Sequence, residues 1–167
     1  MTITKLVSAA LLAVITAGAL SSCHPSRKGM RKLYKTVKKD QTSAKVSWKG
    51  DSIRVVYPEI AMFDFGKDEI KQEAYPAFKR YSGIMNNYMW VNFAINGYTD
   101  NVGPDDVNRS LSERRATNAK TLLSTDGIEQ SRMSTNGRGS ANPIMDNATD
   151  EGRQANRRVE FLLYKKP

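Results

Sequence analysis

Strand and helix signals alternate from residue 52 to the end of the chain, which predicts an α/β (α+β) two-layer sandwich with helices on one face of a mixed sheet. Three observations carry this. Ile53–Tyr57, Trp90–Asn96 and Arg158–Tyr164 alternate apolar and polar residues with the period of two expected of half-buried strands. The stretches 72–88 and 105–124 repeat apolar residues at helical spacing. Turn residues punctuate the boundaries: Gly66-Lys67-Asp68, Asp126-Gly127 and the cluster from Gly137 to Ala148.

Taken in order, Ile53–Tyr57 is a strand ended by Pro58, and residues 60–65 are expected to hold a second short strand. Ala74, Phe78, Tyr81, Ile84, Met85 and Tyr88 make one face of a helix in which Pro76 is tolerable only in the first turn. After the strand at 90–96, Pro104 suits a helix start, with Asp105 and Asp106 complementing its positive end. That helix stops at Asp126-Gly127. A strand over 128–138, a short helix over 149–156 and the last strand complete the order β(β)αβαβ(α)β.

The chain before this domain is of a different kind. Residues 1–22 read as a secretory signal, with Lys5 ahead of an apolar run from Leu6 to Leu20. The run ends in Leu20-Ser21-Ser22-Cys23, which resembles a bacterial lipobox, with Cys23 the lipidated residue. A single Cys excludes an internal disulfide and a Cys-rich metal site, and the single His24, adjacent to it, leaves no plausible His cluster, Cys-His or Ser-His dyad. Neither a metal nor a cofactor is expected.

Net charge is +9, but it is unevenly placed. Eight of the 26 cations precede Asp40 and all 17 anions lie at or after it, so residues 40–167 carry a net of +1 (18 against 17). The pI therefore needs no nucleic-acid partner. Residues 23–51 are expected to form a basic, solvated linker with a reach of roughly 30 Å, the alternative being an amphipathic helix at Met30, Leu33, Tyr34 and Val37 lying on an anionic membrane.

The most informative position is Arg115. On a helix from Asp105, Leu111, Ala119 and Leu122 share one face, and Asn108 and Arg115 fall on that same face, almost two turns apart. A charged residue there should have an anionic partner or line a pocket. Asp100 stands just upstream, in a tight loop between a strand and a helix start where main-chain N–H groups are free to bind anions. Two readings follow from spacing alone. Asp100 and Arg115 pair with each other, or they grip a ligand bearing ammonium and carboxylate on one carbon, as at the free end of a diamino acid. Neither is catalytic, since one carboxylate without a second acid or an activated nucleophile is poor equipment for hydrolysis.

The segment Asn96-Gly97-Tyr98-Thr99-Asp100-Asn101-Val102-Gly103, then Asn108, then Leu111-Ser112-Glu113-Arg114-Arg115-Ala116, resembles the peptidoglycan-binding domain of the OmpA-like family. The likeness continues through Gly137-Arg138-Gly139, Asn142-Pro143-Ile144, Gly152-Arg153 and Asn156–Glu160, and upstream to Phe63-Asp64-Phe65-Gly66. The resemblance implies that Asp100 binds the free ammonium of diaminopimelate in the stem peptide and Arg115 its carboxylate. Asn108 and the Thr99 backbone would support them, and Gly66 would touch the ligand through backbone only. Tyr98 replaces a common His. Arg114 is expected in solvent, and Arg157 and Arg158 as braces of the last strand rather than ligand groups. The function implied is an outer-membrane lipoprotein, not an enzyme, that tethers membrane to peptidoglycan. The alternative is a wall-anchoring subunit of a larger envelope complex.

Overall fold

The computed structural model describes residues 27–166. Five strands form one sheet in the order β1-β2-β5-β3-β4. They are β1 (Lys45–Lys49), β2 (Ser52–Pro58), β3 (Val91–Tyr98), β4 (Met133–Gly137) and β5 (Arg158–Lys165). The β3–β4 pair is parallel and the other pairs antiparallel, so the sheet is mixed. Helices α1 (Arg27–Asp40), α2 (Tyr75–Asn86), α3 (Asp105–Thr125) and α4 (Asp150–Asn156) complete the fold. The predicted two-layer class is the one observed.

The core forms where the inward residues of β2 (Ile53, Val55, Tyr57), β3 (Val91, Phe93, Ile95) and β5 (Val159, Phe161, Leu163) meet Phe78, Tyr81 and Met85 of α2 and Ala116, Ala119 and Leu123 of α3. Tyr57, Phe78, Tyr81 and Phe161 touch through their rings, with centroids 5.1 to 6.0 Å apart. Pro76 lies in the first turn of α2, as a helix requires. At the end of α3, Gly127 (φ 91°) takes the left-handed conformation. There Ile128 N–H reaches back to Leu123 C=O at 3.0 Å, and the helix stops.

Close approach of α3 to the sheet depends on two glycines. Gly97 and Gly137 are register partners on β3 and β4. A Cβ on Gly97 would lie 2.0 Å from Ser112 O, and one on Gly137 would lie 2.6 Å from Arg109 O. The helix backbone therefore rests directly on a bare patch of sheet, which sets the height and rotation of Arg115.

Three expectations are corrected. The stretch at 60–65 is not a strand: residues 59–61 make a 3-10 turn, followed by a single bridge from Phe63 to Ile70. The Met62 and Phe63 N–H groups both turn back to Glu59 C=O at 2.8 Å, local bonds that take the place of a strand's ladder. The strand expected over 128–138 is reduced to 133–137, because residues 130–132 form a 3-10 turn. Arg132 is buried there, donating to Val91 and Tyr88 carbonyls at 2.9 and 3.0 Å.

The largest correction concerns the linker. Residues 27–40 are helical, and Met30, Leu33 and Val37 lie in the domain core. Tyr34 stacks on Trp48 of β1, the sheet's edge strand, at 5.1 Å between ring centroids. The amphipathic spacing is real, but its apolar face is taken up by the domain rather than by solvent or lipid. The folded body therefore includes residues 27–51, which the linker reading leaves outside it. The expected signal peptide (1–22) and Cys23 lie outside the described residues.

Candidate functional site

At one end of the sheet, β2 runs out into Glu59, β3 runs out into Thr99 and Asp100, and β5 begins just after Arg157. Helix α3 brings Asn108 and Arg115 to the same place. Together they surround an open cavity of about 710 Å³, with Phe65, Gly66 and Val102 on its rim.

Asp100 and Arg115 both line this cavity, yet they do not pair with each other. Arg115 is 1% exposed. Its Nη2 donates to Glu59 Oε1, its Nε donates to Lys67 C=O at 2.8 Å, and Nη1 has no hydrogen-bond partner among the described residues. The guanidinium also packs over Phe63, 5.1 Å from the ring centroid. Asp100 accepts from Val102 N–H at 3.1 Å on one oxygen and from Arg157 Nη1 at 2.6 Å on the other. Arg157 Nε closes the chain by donating to Glu59 Oε2 at 2.6 Å.

The result is an alternating run, Asp100–Arg157–Glu59–Arg115, of two carboxylates and two guanidiniums. Burial of Arg157 works against its charge, but the bonds to Asp100 and Glu59 outweigh that and raise its pKa above the ordinary arginine value. A second pair, Asp150 and Arg153, joins on the wall formed by α4. The lining therefore offers anions and cations in equal number, which suits a zwitterionic ligand better than a simple anion or cation.

Asn108 shapes the loop: its Nδ2 donates to Val102 C=O at 3.0 Å. The Thr99 N–H is already spent on Gly139 C=O at 2.9 Å, which ties the loop to the end of β4. The Thr99 hydroxyl, however, is buried at the cavity without a partner among the described residues. An orphaned buried hydroxyl is costly unless water or a ligand meets it. Gly66 lies at the rim with φ 71°, and Phe65 beside it is 79% exposed, stacked under Arg157 at 5.2 Å.

Sequence reasoning missed Glu59 and the place of Arg157 in the cavity wall. Glu59 lies 56 positions from its partner Arg115 and follows a strand-ending proline, so no periodicity marks it. Arg157 was expected as a brace, and it does tie two strand ends together, but it also forms part of the cavity wall. Arg158 is a brace alone, bonding Glu160 at 2.6 Å on the far face of the sheet. Arg114 is exposed as expected, although it pairs with Asp68. Among the described residues no group of three His, Cys, Asp or Glu side chains could hold a metal.

A two-layer α/β sandwich with a charge-balanced cavity at one sheet end defines the class of domain. The OmpA family model matches residues 62–157, and the chain belongs to that family. Among curated proteins, a probable lipoprotein YiaD of Escherichia coli is 35% identical over 122 residues, covering 73% of this chain and 56% of that protein. A peptidoglycan-binding protein ArfA of Mycobacterium bovis is 48% identical over 69 residues, covering 41% of this chain and 21% of that protein. The chain thus spans well under two thirds of the length of these relatives. Among solved structures, a MotB-like protein of Desulfovibrio vulgaris superposes with a TM-score of 0.76 at 25% identity, covering 84% of this chain and 93% of that one.

Proposed function

We propose that this protein is an outer-membrane lipoprotein, anchored through Cys23, whose domain faces the periplasm and grips peptidoglycan without a covalent bond. The ligand is the free amino-acid end of diaminopimelate in an uncrosslinked stem peptide. The observation that carries this reading is the alternation of Asp100, Arg157, Glu59 and Arg115, all but the half-buried Arg157 fully buried, around one open cavity. The family membership supports it, as do relatives described as a lipoprotein and as a peptidoglycan-binding protein.

In this mechanism the ligand's ammonium joins Asp100, whose carboxylate has lone pairs to spare beyond the two bonds it accepts. The ligand's carboxylate meets Arg115 at the unused Nη1 edge, with Arg157 close by. The domain binds rather than hydrolyses: both cavity carboxylates near the ligand are held by guanidiniums and would serve poorly as acid and base. Weak single contacts suffice, because a membrane tether and a repeating polymer raise the effective concentration.

Sedimentation with isolated sacculi tests this. Walls built on diaminopimelate should pellet the protein, and walls with lysine at that position, which lack the second carboxylate, should not. Asp100→Asn should abolish pelleting while the protein stays folded. Equal pelleting with both wall types would sink the proposal.

A second reading makes the chain a wall-anchoring subunit of a larger envelope machine, and the superposition on a MotB-like protein favours considering it. Crosslinking in cells followed by purification separates the two: stoichiometric envelope proteins support the machine, and muropeptides alone support the simple tether.

A further inference from the structure

Helix α1 carries seven cations, Arg27, Lys28, Arg31, Lys32, Lys35, Lys38 and Lys39, and no anion before Asp40. All seven are exposed. At 100° per residue they fall within an arc of about 140°, opposite the arc of Met30, Leu33 and Val37 that enters the core. The domain therefore presents one uniformly basic stripe, about 20 Å long at 1.5 Å per residue. Without the linker there is little slack: Arg27 stands four positions after Cys23, a reach of at most about 14 Å.

We propose that this stripe docks the folded domain directly on an anionic lipid surface through headgroup contacts. The inference rests on the reading that Cys23 is lipidated, since that places the start of α1 at the bilayer. Charge complementarity selects the occupant, because a stripe without a single carboxylate repels other basic surfaces and gathers acidic headgroups within a Debye length. The mode is electrostatic. The apolar residues of α1 are committed to the core, so the helix does not insert in the manner of an interfacial amphipathic helix.

The first turn of α1 lies beside Trp90, which Gly29 approaches, and beside Trp48, Asp51 and Lys165. Those residues mark the end of the sheet where β3 begins and β5 finishes. Asp100, Glu59 and Arg157 lie at the other end, about 25 Å from that first turn along the eight residues of β3, while the helix runs alongside the sheet until Gln41, just past its end, accepts from the Tyr57 hydroxyl two residues before Glu59.

Vesicle sedimentation of the unlipidated protein, residues 23–167 with Cys23→Ser, tests this. Vesicles of phosphatidylglycerol and phosphatidylethanolamine in equal parts should bind it, vesicles of phosphatidylcholine should not, and added salt should release it. Lys28→Glu combined with Lys32→Glu and Lys35→Glu should cut binding by at least about tenfold while sacculus pelleting is unchanged. The corresponding triple Lys→Gln variant gives the same test, should charge reversal disturb the helix. Equal binding to both vesicle types, no binding to either, an unaffected triple variant, or binding to duplex DNA but not to anionic vesicles would each overturn the proposal. Labelling of the full chain with palmitate, lost in Cys23→Ser, tests the lipid reading separately.

Discussion

A fully buried guanidinium such as Arg115 persists only with anionic and carbonyl partners, and Glu59 and Lys67 supply them. Glu59 serves two arginines at once, so it is the residue on which the cluster most depends. Glu59→Gln should destabilise the domain by about 3–5 kcal/mol, the cost of leaving a buried charge uncompensated. Asp100→Asn should cost only about 1–2 kcal/mol, because Arg157 keeps Glu59. Urea unfolding of both variants checks the ranking, and a reversed order would show that the cluster is centred elsewhere. How much of this was legible in the sequence divides along physical lines. Arg115 and Asn108 announced themselves as polar residues on an apolar stripe, and Asp100 as a carboxylate in a strand-to-helix loop. Glu59 left no such signal, since its role arises only when the ends of β2 and β5 are brought together by sheet pairing.

Elements with strong local periodicity were readable almost to their ends. Helix α3 was expected over 105–124 and runs to Thr125, because its proline start and left-handed glycine stop are local chemistry. Helix α1 shows the opposite case. Its apolar spacing was visible, but whether Met30, Leu33 and Val37 meet solvent, lipid or protein is decided by tertiary packing against the sheet. The consequence is measurable. Leu33→Ala should lower stability by about 2–5 kcal/mol, as expected for a fully buried leucine, whereas a solvated linker would show no change. Gly97→Ala is a second test at this scale. Its Cβ would strike the α3 backbone, and the rise of α3 from the sheet should cost about 1–3 kcal/mol and displace Arg115 from the cavity.

At the scale of the whole molecule, charge among the described residues gathers in three regions: the basic stripe of α1, the balanced cavity, and a cluster on the open sheet face. In that last region Glu160 is held between Arg54 and Arg158. Burial works to raise its pKa, but hydrogen bonds from Arg54 and Arg158 outweigh it and hold the carboxyl below the usual range. The unfolded value is about 4.3, so the stabilisation is complete above that pH and is lost as pH falls through the lower folded value. Glu160→Gln should accordingly flatten the acid limb of the stability curve, which thermal melts between about pH 5 and pH 2 would record. The central claim is that one cavity reads both charges of a diamino acid end, and the most direct measurement is a titration of ¹⁵N-labelled protein with a soluble diaminopimelate muropeptide. Saturable shifts confined to Thr99–Gly103, Gly66, Arg115 and Arg157, absent in Asp100→Asn, are the predicted result. Shifts elsewhere on the surface, or shifts that survive in Asp100→Asn, would contradict it.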